Sequence, residues 1–583
     1  MSNKHFISDP TVLVNSALRS LTLTNPSVAV DETSKIVYLR PSNAPKQVSI
    51  VSGGGSGHEP SFGAMVGPGM LTAAVAGTIF ASPSTEQIRA AIQTRVDDSQ
   101  GVLVTIMNYT GDVLNFAVAV EKARAAGVDV DMVVVGDDVG VGRAKGGKVG
   151  RRGIAGTVLV HKISGALAAT GRPLKDVARV ARLVADNLVT VGASLDHVHV
   201  PGRASEAEGD ALGPGEIELG MGIHNEAGSG RLTAELPELV SEMLRQLLDQ
   251  TDKDRAFLDV NSEDVVLMVN NLGGVSVLEM GGITTVVADQ LAQKYGIKPK
   301  RILSGTYMTS LNGMGFSVTL LNIVDTGISG VSMIDLLDAP CEATGWTAPI
   351  SAASWAANNT ATLESSEKTT NASTNPSGVT IDVATAKAAL VGGLDKLVES
   401  EPEVTKYDTI VGDGDCGTGL KRGAEAVLEH INKVGLTGDA VVDLAGIVPV
   451  VEMSMDGTSG ALFAIFLNSL TASLRNQPAG PATPQVWGAA LKQSLEALSK
   501  YTPARPGDRT LIDALQPFVE TLGSGSLKDA AEASRKGAES TKGMKPGLGR
   551  SVYVGGDGYQ RVPDPGAWGL SWFFLGLAGI APN

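Results

Sequence analysis

Residues 48–60 read VSIVSGGGSGHEP. The run from Val48 to Val51 is short, apolar and β-branched, which reads as a buried strand. It gives way to glycines and then to His58, Glu59 and Pro60. A strand emptying into glycines is also how a phosphate loop begins. Here, however, no Gly-Lys-Ser/Thr follows, and Pro60 soon stiffens the chain. The loop is therefore built to hold something else. Glycines suit that task because backbone without a Cβ can approach a ligand closely or take positive φ.

Outward from this stretch, the first ~340 residues alternate Val/Ile-rich runs, Gly/Asn/Asp turns and helical stretches, as expected of an α/β domain. The pattern predicts strands at Val48–Val51, Val102–Met107, Met132–Val135, Val265–Asn270 and Val318–Ile323. It predicts helices at Thr157–Ala169 and Val177–Asn187. From Thr347 to about Val379 the composition turns to Ala, Ser, Thr and Asn with no sustained apolar period, as in a linker. From Ile381 the pattern is helical. Asp382 is a candidate N-cap, and further helices are expected at Ala440–Met455, Ala461–Ser473, Trp487–Lys500, Thr510–Leu522 and Leu527–Ser540. The expected organisation is residues 1–346, a linker at 347–380, and an all-α domain at 381–583.

Composition narrows the function. With 583 residues, 43% hydrophobic and 19% charged, the chain suits several packed domains. A net charge of −15 argues against nucleic acid as a partner, because phosphate contacts need a basic surface. Two cysteines, Cys341 and Cys416, make a disulfide framework unlikely to be the basis of the fold. The N-terminus lacks a signal-peptide pattern, and no apolar run reaches the length expected of a membrane span. A cytoplasmic protein without membrane contact is the expectation.

Chemistry-bearing residues collect in a few places. There are seven histidines, and two of them, His58 and His224, lie among glycines, in GGGSGHEP and ELGMGIHNEAGSG. An ordinary loop histidine fits either position as well as a functional one does. In VTIMNYTGDVLNF a strand turns into a helix beginning near Asp112, which could cap that helix or accept a substrate hydroxyl at the strand's carboxyl end. In YDTIVGDGDCGTGL, Asp408, Asp413 and Asp415 cluster among glycines. Clustered carboxylates repel unless a cation neutralises them, and hard oxygen ligands suit Mg²⁺. The residues alone leave an Asp-Gly turn equally open. Gly-Thr-Ser-Gly at 457–460 offers N–H groups and hydroxyls to an anion.

Taken together, these segments resemble the ATP-dependent dihydroxyacetone (glycerone) kinases of the single-chain, two-domain type. GGGSGHEP, NYTGDVLNF, GDDV, GRRGIAGTVLVHKI, ELGMGIHNE and VNNLGGVS match the substrate domain in order. VGDGDCG, GTSGAL, GDRTLIDAL and DPGA match the nucleotide domain. The likeness covers nearly the whole chain outside the linker. It implies a substrate domain of two α/β subdomains and a nucleotide domain resembling an eight-helix barrel. It further implies that His224 captures the ketone carbon as a hemiaminal. His58 and Asp112 would bond the hydroxyls and transfer protons, and Gly55, Ser56, Gly57 and Met107 would complete the substrate contacts, Met107 as a changed one. Asp408, Asp413 and Asp415 would bind Mg²⁺. Cys416, Gly417, Thr418, Gly419, Thr458, Ser459, Thr502, Leu511, Arg550, Asp564, Pro565 and Gly566 would hold ATP.

The substrates implied are dihydroxyacetone and D-glyceraldehyde, and a homodimer is expected. Two alternatives are a cyclising FAD-AMP lyase activity at the same metal–nucleotide site and a non-catalytic ketose sensor. A sensor has no use for the acidic triplet. Four positions depart from the family pattern. Met107 stands where Lys is usual, Asp456 where Gly is usual, Ser551-Val552 follow Arg550, and a glycine is replaced near Thr502.

Overall fold

The computed structural model describes residues 5–42, 45–203, 212–260, 264–348, 350–357, 375–455, 457–548, 550–552 and 557–581. The chain forms two compact units, Met1–Thr362 and Leu363–Asn583. Half of the expected linker, residues 358–374, lies outside the described residues.

The first unit is built on two six-stranded sheets. The first sheet holds β1 (Val28–Asp31), β2 (Ile36–Leu39), β3 (Ser49–Ser56), β4 (Ala73–Ile79), β5 (Val102–Met107) and β6 (Val130–Val135), in the spatial order β1-β2-β4-β3-β5-β6. Strands β4, β3, β5 and β6 run parallel, and β3 and β5 are buried at every residue, so they read as continuous Val/Ile runs. The predicted strand at Val48–Val51 continues through the glycines to Ser56, because Gly53 and Gly54 pair with Val75 and Ala76 of β4.

After β3 the chain crosses to β4 on one side. After β5 it passes through the helix Thr110–Ala125 to β6 on the other. The carboxyl ends of β3 and β5 therefore flank a switch point, the place where open α/β sheets accept ligands.

The second sheet holds β7 (Leu188–Ser194), β8 (Glu216–Leu219), β9 (Gly230–Thr233), β10 (Val265–Asn271), β11 (Arg301–Gly305) and β12 (Gly315–Asn322), in the order β11-β10-β12-β7-β8-β9. All its pairings are antiparallel except β10 with β11. One core cluster draws on both sheets and on the helix Thr157–Ala169, which is buried on every face from Thr157 to Ala168. Its apolar residues point to every side because no side meets water, and the buried Lys162 ammonium donates to the Leu336 carbonyl at 2.8 Å.

Among its described residues the second unit has nine α-helices and one short parallel strand pair, Val379–Thr380 with Gly480–Pro481. The expected helix Leu527–Ser540 is found with those bounds, and Asp382 caps Val383–Glu399 by accepting the Thr385 N–H at 2.9 Å. After that helix come Glu401–Val411, Cys416–Val434, Ala440–Ser454, Gly457–Arg475, Pro484–Leu498, Ile512–Leu522, Leu527–Ser540 and Pro565–Leu577. Neighbours along the chain pack on one another, and the last helix returns to pack on the first.

The helix expected from Ala461 begins at Gly457, so the Gly-Thr-Ser-Gly segment forms its first turn. By length and composition this 19-residue helix reaches that of a bilayer span, contrary to the expectation for the sequence. It packs between Ala440–Ser454 and Pro484–Leu498.

Two buried histidines make the fold pH-sensitive. His58 and His161 are fully buried, and burial pushes both down to about 3, with the charge of His224 adding to the effect at His58. An unfolded chain protonates histidine near ~6.5, so it binds more protons than the folded chain below that pH. The stabilisation is present above ~6.5 and is lost as pH falls toward 3. His161→Leu is expected to reduce the slope of unfolding free energy against pH by about 1.4 kcal/mol per pH unit between pH ~6 and ~4. Urea titrations at several pH values would measure it; an unchanged slope would mean that His161 protonates freely in the folded unit.

Candidate functional site

Six loops of the first unit converge, those following β3, β4, β5, β6, β8 and β11, and bring together residues far apart in sequence. His58 leaves the end of β3. Its Nδ1 lies 2.8 Å from the carbonyl oxygen of Thr309 and so carries the donated hydrogen. In the neutral ring Nε2 is then a bare acceptor. It faces Nε2 of His224 at 3.0 Å. Two imidazole nitrogens at that distance bond only if one proton lies between them.

His224, between β8 and β9, is held twice by Glu226. Its Nδ1 lies 2.9 Å from Oε1, and its backbone N–H donates to Oε2 at 3.0 Å. Burial alone would raise the Glu226 carboxyl, but the hydrogen bonds and charge of His224, with Arg152, outweigh it and bring the group down to about 2.

Aromatic rings close the niche. Phe80 stacks on His58 at 5.3 Å and meets His224 edge-on at 5.0 Å, while Tyr109 meets His224 edge-on at 4.7 Å. Gly57 has a φ of 105°, and a Cβ there would sit 2.7 Å from the Phe80 ring, so no other residue fits without displacing that wall. Ser56 donates to the Gly77 carbonyl, and Gly55 lies against the backbone of Phe80 and Ala81.

Asp112 is not a cap. The N-cap of its helix is Tyr109, and Asp112 is 5% exposed, with its carboxylate beside Gly54. Burial pushes it up, against a hydrogen bond from Ser82 and the charge of His224. Asp112 Oδ1 and the Tyr109 hydroxyl are buried without a hydrogen-bond partner, so the niche holds polar atoms that a polar ligand could satisfy. Met107 is 1% exposed and belongs to the apolar core.

The second unit contains a cavity of about 740 Å³. Asp408, Asp413 and Asp415 line it, and one oxygen from each lies within 4.8 Å of the others. Asp408 is buried and accepts the Cys416 N–H at 3.0 Å, while the other two are exposed. An all-carboxylate oxygen set of this spacing fits a hard divalent cation such as Mg²⁺.

Cys416, Thr418, Gly419, Thr458, Ser459, Thr502, Leu511, Asp564, Pro565 and Gly566 line the same cavity. Gly417 is buried against the helix Glu401–Val411 instead. Arg550 begins a 3-10 turn, Arg550–Val552, and Asp456 lies outside the described residues. Asp564 caps the last helix through the Ala567 N–H at 2.8 Å. Burial pushes its carboxyl up to about 6, against the Ala567 bond and Arg509 and with the charges of Asp513 and Asp408.

The sequence reading missed Glu226, Tyr109, Phe80 and Arg152 in the first unit and Arg509 in the second. Glu226 had a local signal, standing two residues beyond His224 in IHNE. Arg509 stood inside the GDRTLIDAL segment without being singled out; it is 1% exposed at the cavity wall and donates to the carbonyls of Val562 and Pro563 at 3.0 and 3.1 Å.

Residues 19–345 match the Dak1 domain and residues 410–579 the DAK2 domain. The chain is 46% identical to dihydroxyacetone kinase 2 of Saccharomyces cerevisiae, over 100% of both chains. It is 35% identical to the human triokinase/FMN cyclase, over 97% of both. The crystal structure of the dihydroxyacetone kinase from C. freundii in complex with AMP-PNP and Mg²⁺ superposes with a TM-score of 0.63 at 31% identity, over 99% of this chain and 100% of that one. With a Dak1 domain followed by a DAK2 domain and this identity along its whole length, the chain belongs to the dihydroxyacetone kinase family.

Proposed function

We propose that the chain transfers the γ-phosphoryl group of ATP to dihydroxyacetone, and to D-glyceraldehyde, with Mg²⁺. The observation that carries this reading is the presence in one chain of a carboxylate-held imidazole niche and a nucleotide-sized cavity with three clustered carboxylates.

In the niche, the shared proton passes to His58 as the ketone enters. The freed Nε2 pair of His224 forms a bond to the carbonyl carbon, and the C=O π pair moves to oxygen. That oxygen takes the proton from His58. The alkylated imidazolium keeps its Nδ1–H on Glu226, so charge is conserved and stays paired. Asp112, raised by burial, receives the proton of the attacking hydroxyl. Tyr109 and Asp112 pair with substrate oxygens.

In the cavity, Asp408, Asp413 and Asp415 would hold Mg²⁺, which supplies charge neutralisation on the phosphate oxygens. Gly457, Thr458 and Ser459, at the start of Gly457–Arg475, line the cavity and would offer N–H groups to a phosphate, and Asp564–Gly566 with Thr502 and Leu511 would line the nucleotide.

Several finer readings belong with this proposal. The closed circuit of packed neighbours in the second unit supports an eight-helix barrel, with Val383–Glu399 and Glu401–Val411 counted together. A homodimer, a cytoplasmic location, and domain limits at 346 and 381 complete the reading. The name of the human relative, triokinase/FMN cyclase, favours FAD cyclisation as a side activity of the same cavity.

Asp413→Ala is expected to abolish ATP-dependent turnover while ketone still forms its tetrahedral adduct. Carbon NMR of dihydroxyacetone labelled at the carbonyl would show both arms, and loss of the adduct with the turnover would contradict separate sites.

An imidazole adds to a carbonyl and not to an alcohol. The wild-type chain should therefore reject glycerol, and His224→Ala should lose roughly 100-fold or more in dihydroxyacetone turnover, and most of the discrimination, while binding Mg²⁺–ATP normally. Coupled assays on both substrates check it. Comparable wild-type rates on glycerol would return His224 to an ordinary loop residue.

A further inference from the structure

The loop after β6 brings a guanidinium to the far side of Glu226. Arg152 Nε donates to Asp138 Oδ2 at 2.8 Å, Nη2 lies 2.7 Å from the same oxygen, and Nη2 donates to the Gly220 carbonyl at 2.8 Å. Its remaining arm, Nη1, lies 3.9 Å from Glu226 Oε2. Asp138 is 1% exposed, and its other oxygen accepts the Gly140 N–H at 2.8 Å.

The Glu226–Arg152 approach runs through space that only glycine leaves open. A Cβ on Gly222 would sit 2.0 Å from Glu226 Oε2 and 2.4 Å from Arg152 Nη1. His58, His224, Glu226, Arg152 and Asp138 therefore form one line of charged and proton-sharing groups. The other polar groups facing His224 are Tyr109 and Asp112, both from the start of the Thr110–Ala125 helix.

We infer that Arg152 is a positioning residue for the carbonyl addition, acting through Glu226 to loosen the shared proton from Nε2 of His224, so that it can pass to His58 as the ketone enters. The inference rests on the reading of His224 as the carbonyl-capturing group. Addition needs a bare Nε2 pair on His224, hence the proton on the His58 side. A carboxylate with no other partner directs its whole charge at His224 and holds that ring as a two-proton cation. A guanidinium on the opposite face draws part of that charge away and repels a second cation.

Arg152 is not the sole tether of this loop. Lys145 donates to the Ala227 and Gly228 carbonyls at 2.7 and 3.1 Å, and Asn225 bonds the backbone of Val198 on both its N–H and its C=O. Loss of the Gly220 bond therefore leaves His224 and Glu226 held in place.

The test is nitrogen NMR of histidine-labelled protein, with the His224 signals identified by their loss in His224→Asn. In Arg152→Gln, His224 Nε2 is expected to move toward the protonated, pyrrole-like position, and the rate of adduct formation from carbonyl-labelled dihydroxyacetone to fall about tenfold. Arg152→Lys keeps the charge and should recover part of both. Gly222→Ala removes no titratable group but forces Glu226 and Arg152 apart, and should reproduce the Arg152→Gln signature. If Arg152→Gln does not fold, the Lys and Gly222→Ala variants decide the matter.

An unmoved His224 Nε2 signal, with or without slower addition, overturns the inference and leaves Arg152 a purely structural tether. A wild-type chain that forms no tetrahedral adduct overturns the capture reading instead, and the nitrogen signals still decide whether Arg152 controls the proton.

Discussion

His58 can present a lone pair to His224 only because its other nitrogen is committed to the carbonyl of Thr309. That bond joins the two sheets of the first unit, since His58 follows β3 and Thr309 follows β11. The surrounding backbone is stitched in the same place. The Leu311 N–H donates to Gly57 O at 2.7 Å, and the Thr309 hydroxyl donates to Glu59 O at 2.8 Å. The identity of the tautomer at His58, and through it the place of the shared proton, thus depends on the register between two sheets. A rotation of that loop by one residue would leave a buried imidazole with no acceptor, a cost of about 1–3 kcal/mol, and would also move the proton.

The second unit solves a different electrostatic problem. Its cavity gathers Asp408, Asp413, Asp415 and Asp564, and the Asp564 carboxyl is raised to about 6, first by burial, with the charges of Asp513 and Asp408 adding to it against the Ala567 N–H and Arg509. Folding has concentrated four carboxyl groups around one cavity. Such a surface is completed by a cation, and the ligand that brings the cation also screens the repulsion. Binding and local stability are therefore coupled in this unit, as in other sites whose ligands satisfy groups that folding leaves in tension.

Much of the fold was legible because period and composition are local. Val102–Met107 and Leu527–Ser540 have the bounds that their apolar patterns dictate. The glycine cluster was harder, because glycine signals a loop by default, whereas here β3 runs through it by pairing with β4. Gly457 opens a helix that propensity places four residues later, since packing between two neighbours outweighs the weak preference of Gly-Thr-Ser-Gly. At the site, His58, His224, Asp112 and the acidic triplet stood out by residue type. Arg152 did not, because a guanidinium acquires its meaning from partners far along the chain, Gly220 and Glu226, and Glu226 was passed over although His224 stands two residues before it. Met107 was read as a changed ligand contact, and its burial in the core is a property that a single strand residue cannot announce.

The circuit of helices in the second unit has one more implication. Because the Pro565–Leu577 helix packs on Val383–Glu399, the sequence order around the circuit has no privileged starting point. The same neighbours would be preserved if the polypeptide were opened at the turn between Val434 and Ala440 and rejoined across the seam, a circular permutation. What such a rearrangement cannot move without consequence is the Asp564–Gly566 turn, because the last helix carries part of the cavity wall at its own first residues. The helix that closes the circuit also supplies part of the cavity wall, so closure of the architecture and completion of the binding surface are one event.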